Sequence, residues 1–90
     1  MDIDIRHLPD SGTFEAQVQG RVAGHLYYRQ TGEDGWLMYS TVVDPDMEGR
    51  GVGSALCRAA VSAATNAGKR VDSTCWFVSG WIQRHPEAVA

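Results

Sequence analysis

At Asp44-Pro45 the chain changes its period. Before this point apolar and polar residues alternate; after it, apolar residues recur every three or four positions. Phe14, Ala16 and Val18 alternate with Glu15, Gln17 and Gln19, the mark of a half-buried strand. Ile3, Ile5 and Leu8 predict a strand before it, and Pro9-Asp10-Ser11-Gly12 is turn chemistry between the two. Residues 22–29 and 36–43 read as two further strands, with Gly20-Arg21 as one reversal and Thr31-Gly32-Glu33-Asp34-Gly35 as the next. Connections this short make an antiparallel meander. Residues 50–67 are rich in alanine and lack proline, and Val52, Leu56, Ala59, Ala60, Ala63 and Ala67 predict one apolar helix face. Asn66-Ala67-Gly68 is a helix stop. Residues 69–74 read as a fifth strand, which can lie parallel to the fourth through a right-handed crossover. Residues 77–84 read as a short helix with Val78, Trp81 and Ile82 inward, ended by Pro86. The expected class is α+β: a meander, then strand, turn, helix and strand, then a short C-terminal helix.

Ninety residues suit one domain spanning 1–90. The net charge of −3, with both signs interspersed, argues against a protein that grips nucleic acid by its phosphates. No apolar run approaches the ~20 residues of a membrane helix. Residues 1–6 carry acids where an export signal would carry bases, so a cytoplasmic location is expected. Cys57 and Cys75 have no metal-type spacing, and His7, His25 and His85 have no carboxylates at the spacing of a metal site or triad, so no metal is expected. Cys57 reads as a packing residue inside the helix, and Asp44 and Asp46 as turn and cap residues.

The segment "DMEGRGVGSAL", 46–56, joins the two halves. Its three alternate glycines sit where a strand gives way to a helix. The first turn of that helix has free N–H groups and the positive end of the helix dipole, which together suit a pyrophosphate. Gly49, Gly51 and Gly53 would let phosphate oxygens approach the backbone, and Arg50 could add a charge. A tight turn that packs the helix closely on the sheet explains the same glycines without a ligand. The segment is not a P-loop, because it has no lysine, and its G-x-G-x-G spacing after antiparallel strands is not the dinucleotide fingerprint.

"GRGVGSAL" after Val42-Val43-Asp44-Pro45 resembles motif A of the GNAT superfamily of acetyltransferases, written Arg/Gln-x-x-Gly-x-Gly/Ala. Gly51 and Gly53 match its last positions; Glu48 stands where the family has arginine or glutamine, and would repel phosphate unless it points away. The order of Cys75, Phe77 and Arg84-His85-Pro86-Glu87 is similar to that in a family of very small, stand-alone GNAT-like proteins. Ser40-Thr41 and Trp76 depart from the His-Thr and proline associated with those members. The resemblance implies acetyl-CoA as cosubstrate, held by residues 49–54 (Gly49, Arg50, Gly51, Val52, Gly53 and Ser54). It also implies backbone contacts from Thr41, Val42 and Val43 to the pantetheine arm and the thioester carbonyl, between strands four and five.

Cys75 is the expected catalytic side chain. It lies at a strand end just before a helix, the kind of setting in which cysteines become nucleophiles. It could carry the acetyl group or give a proton to the departing CoA thiol; a buried cysteine packed on Trp76 or Phe77 is the structural alternative. The implied function is N-acetyl transfer from acetyl-CoA to an amine such as a protein lysine, an N-terminus or a polyamine. The other reading is a non-catalytic acyl-CoA-binding module or partner subunit. The expected partners are acetyl-CoA and an unidentified amine acceptor, with no nucleic acid and no membrane, in a monomer or weak dimer.

Overall fold

Alternation becomes a sheet with one buried face in a computed structural model describing residues 2–89; Met1 and Ala90, inside the expected span 1–90, lie outside that description. Five strands form in chain order: β1 (Asp4–Leu8), β2 (Thr13–Val18), β3 (Arg21–Thr31), β4 (Gly35–Val43) and β5 (Arg70–Ser73). The first four pair antiparallel with their sequence neighbours, and β5 pairs parallel with β4. The β2–β3 reversal needs left-handed backbone at both Gln19 (φ 52°) and Gly20 (φ 78°), a turn whose twist matches that of the strands. Phe14, Ala16, Val18, Leu26, Tyr28, Trp36 and Met38 are buried, as the period of two requires. Leu8 does not follow the pattern and is largely exposed.

Helix α1 (Val52–Asn66) crosses between β4 and β5, and α2 (Trp76–Arg84) follows β5. Gly68 at φ 73° turns the chain out of α1, as the stop signal predicted. The apolar face of α1 is rotated from its expected position. Val52, Leu56, Cys57, Ala60, Val61 and Ala64 are buried, whereas Ala59 and Ala63 are half-buried and Ala67 is exposed. Alanines line most sides of this helix, so the larger Cys57 and Val61 decide which side faces the sheet. Trp81 on α2 is 1% exposed, and its indole N–H donates to Ser54 Oγ at 3.0 Å, pinning α2 to the start of α1.

Two irregularities in β4 shape its far end. Tyr27 pairs with Ser40 and Tyr28 with Met38, so Tyr39 bulges out of the ladder. The β5 pairing covers only Gly35 to Met38, with a last bond from Thr74 N–H to the Met38 carbonyl at 3.2 Å. Beyond it β4 runs on through Tyr39–Val43 while the chain turns away into α2. The two parallel strands therefore part at the level of the bulge. Among the described residues no helix is long and apolar enough to cross a membrane.

Candidate active site

The parting of β4 from β5 opens a cavity of about 450 Å³. Its walls come from four places: Thr41 and Val43 on β4, the turn from Met47 to Gly51, the first helical residues Val52, Gly53 and Ser54, and Cys75, Trp76 and Phe77 at the start of α2. The structure thus brings together Thr41, Val43, Gly49, Gly51, Val52, Gly53, Ser54 and Cys75 from the sequence-predicted set. Val42 and Arg50 are not among the lining residues. Val42 is 55% exposed and borders a shallow depression with Val22 and His25 instead. Met47 in the turn joins the wall as well, as do Trp76 and Phe77, which α2 brings back towards α1 through contacts that no local spacing encodes.

The turn is held from behind. Asp44 accepts a hydrogen bond from the Asp46 backbone N–H at 2.9 Å, capping a short 3-10 turn over Pro45–Met47. The Arg21 guanidinium donates to Asp44 at 3.0 Å and Asp46 at 3.3 Å, tying the start of β3 to this turn. The Asp46 amide, and then Arg21, hold the Asp44 carboxyl below its ordinary value. After it the three glycines part company in their reasons. Gly49 (φ 76°) and Gly51 (φ 85°) occupy left-handed backbone with open space around the missing Cβ. Gly53 is helical and buried, and a Cβ there would lie 2.7 and 2.9 Å from ring atoms of Phe77. Close packing of Phe77 therefore requires Gly53, a packing reason that stands beside phosphate approach at this position.

Gly51 caps α1 with no side-chain hydrogen bond. The amides of its first turn are therefore open at the cavity wall, where they and the helix dipole favour an anion. Glu48 is exposed on the same wall and forms no ion pair among the described residues. Its carboxylate opposes a second anion, so phosphate binding there would rest on the backbone groups.

Cys75 caps α2 and is half-buried, with Sγ–H donating to Thr41 Oγ1 across the gap at 3.8 Å. Its peptide is fixed from both sides. Cys75 N–H donates to Ser73 Oγ at 3.2 Å, and Ser73 Oγ donates to the Cys75 carbonyl at 3.0 Å. Ser79 Oγ donates to Ser73 Oγ at 2.9 Å. The thiol is thus held at the cavity wall, not sealed inside the core. Cys57 is the contrast: it is fully buried, and burial, with the nearby Cys75 adding to it, pushes its thiol up to about 12. Among the described residues no cluster of histidine, cysteine or carboxylate side chains could hold a metal ion.

A family model described as GCN5-related N-acetyl-transferase matches residues 13–90. None of the curated proteins matches the chain. Solved structures do. A GCN5-like protein from Staphylococcus aureus superposes with a TM-score of 0.73 at 19% identity, covering 94% of this chain and 82% of its own. An IAA acetyltransferase from Bacillus cereus gives 0.67 at 22% identity, covering 81% of this chain and 52% of its own. Ard1 from Thermoplasma volcanium gives 0.61 at 26% identity over 68% of this chain, which spans only 40% of that protein.

Proposed function

Because the chain belongs to the GCN5-related N-acetyltransferase family, we propose that it moves an acetyl group from acetyl-CoA to an amine, with Cys75 as the side chain that meets the thioester. One observation carries this reading: a single cavity collects the open amides of α1, the parted edge of β4 and the Cys75 thiol. The amides of Val52, Gly53 and Ser54 would take the pyrophosphate, with Gly49 and Gly51 shaping the turn. The backbone of Thr41–Val43, free of β5, would hold the pantetheine arm and polarise the carbonyl. Val42 serves there by its backbone alone, since its side chain lies outside the cavity. Arg50 would contribute only long-range charge.

Two balanced steps are open to the thiol. As a thiolate, Cys75 Sγ attacks the carbonyl carbon, the C–S bond to CoA breaks, and the CoA thiolate leaves. The acetyl group then sits on Sγ until a neutral amine displaces it and loses a proton. Alternatively the amine attacks the thioester directly, and Cys75 gives its proton to the departing CoA sulfur. Thr41 Oγ1 accepts from Sγ–H in the second case; in the first its hydroxyl would turn to donate to the thiolate. The acceptor is proposed to be a primary amine reached from the open side of the cavity, and the net charge of −3 mildly favours a cationic one.

The test is a calorimetric titration with acetyl-CoA of the wild type, Gly51→Asn and Gly51→Asp. Asparagine and aspartate both tolerate left-handed backbone, so the pair differs mainly in charge. Binding that survives in the first and is lost in the second supports the pyrophosphate site; equal binding in both removes it. Intact-mass measurement after incubation then separates the roles of Cys75. A stable gain of one acetyl group, absent in Cys75→Ala, identifies a carrier. Loss of turnover in Cys75→Ala with no mass gain in the wild type identifies a proton donor. Full turnover in Cys75→Ala refutes both.

A further inference from the structure

We propose that Trp76 is the platform on which the adenine ring of acetyl-CoA stacks. The inference rests on the reading of the glycine turn as the pyrophosphate site and extends it to the far end of the cosubstrate. Trp76 is 84% exposed, the most exposed of the large hydrophobic residues among those described, whereas Trp36 and Trp81 are buried. Packing does not explain it: an indole left in water forgoes the stabilisation that burial gives such a ring. Nor is it loosely placed, since it is the first residue of α2, directly after the tethered Cys75.

Its neighbours tie it to the turn. The Trp76 ring meets Phe77 edge to face, with centroids 5.9 Å apart and planes at 81°. Phe77 in turn rests on Gly53, close enough that a Cβ there would touch it. The indole thus stands one aromatic ring away from the first-turn amides of α1, on the wall of the same cavity. Acetyl-CoA continues past its pyrophosphate into a ribose and a flat, neutral adenine. An exposed indole on a short helix, braced by a second ring, matches that chemistry. A charged platform would suit the 3′-phosphate but not the base.

The experiment compares acetyl-CoA with S-acetyl-4′-phosphopantetheine, which keeps the thioester, the arm and one phosphate but has no adenosine. Both are titrated against the wild type, Trp76→Ala and Trp76→Phe, with indole fluorescence and calorimetry as readouts. Thermal unfolding serves as a check that the exposed substitution leaves the fold intact. Expected is an affinity loss on the order of tenfold for acetyl-CoA in Trp76→Ala, largely recovered in Trp76→Phe, with the truncated ligand unaffected by either change. Quenching of wild-type indole fluorescence by acetyl-CoA but not by the truncated ligand is expected as well. Equal losses for both ligands would mean that Trp76 covers the arm, and no loss for either would assign it to an acceptor or a partner; both overturn the proposal. If the wild type binds neither ligand, the pyrophosphate reading itself falls and the stacking with it.

Discussion

Replacing Gly53 by alanine separates packing from phosphate approach as the reason for that glycine. The added Cβ would sit 2.7 and 2.9 Å from the Phe77 ring, about an ångström inside ordinary contact. The ring must swing, yet it is half-buried between α1 and Trp76. Overpacking of this kind costs about 1–3 kcal/mol, and alanine returns at most about 1 kcal/mol in helix propensity. The expected net loss is about 1–2 kcal/mol, or a fall of roughly 5–10 °C in Tm for a chain of this size. Urea and thermal unfolding would read it. In a Phe77→Leu background the obstructing ring is gone, so the same Gly53→Ala change should stabilise by up to about 1 kcal/mol, a coupling of opposite sign. An unchanged or raised Tm in the otherwise wild-type protein, with weakened acetyl-CoA binding, would refute the packing argument and restore phosphate approach as the reason.

Other expectations follow from the same geometry. Glu48→Gln removes a like charge beside the proposed phosphate site and should tighten acetyl-CoA binding a few-fold at low salt, with the gain fading as salt rises; calorimetry at two ionic strengths checks this. A thiol reagent should label one cysteine per folded chain, Cys75, with Cys57 reacting only on unfolding; peptide mass mapping reads the site. His7 lies flat on Phe14 at 4.2 Å and pairs with Tyr28 Oη at 2.6 Å, and burial holds its pKa below the ordinary value. The unfolded chain therefore takes up the proton first as pH falls through about 6.5, so stability should drop from pH 7 to pH 5. His7→Phe, which keeps the stack on Phe14, should flatten that slope in urea midpoints.

Local pattern carried much of this molecule. The alternation of Phe14, Ala16 and Val18 placed β2, and the glycines at 49 and 51 marked the turn before α1, because both signals lie within a few residues of the structure they determine. Long-range contacts were less legible. Gly53 packs against Phe77, 24 positions away, whereas its spacing marks it only as a third member of the turn. The phase of α1 does not follow its alanines, because alanine contributes so little to either face that Cys57 and Val61 outweigh several of them. Thr41 and Cys75 could each be named as site residues from the resemblance to motif A and the cysteine-bearing strand. Their approach across the gap depends on where β5 stops pairing and on the bulge at Tyr39, and neither leaves a mark in composition or period.

The strand order also implies a folding order. β1 to β4 each pair with the next strand along the chain, through turns of a few residues, so loop closure costs little. β5 must find a partner 35 positions back, Arg70 opposite Gly35, with α1 in between. The meander is therefore expected to assemble early, and β5 with α2 to dock late and open first. Amide hydrogen exchange should show the residues around Cys75 exchanging through partial opening while the centre of the meander waits for global unfolding. A ligand that bridges the two parts would then protect the late-docking half selectively.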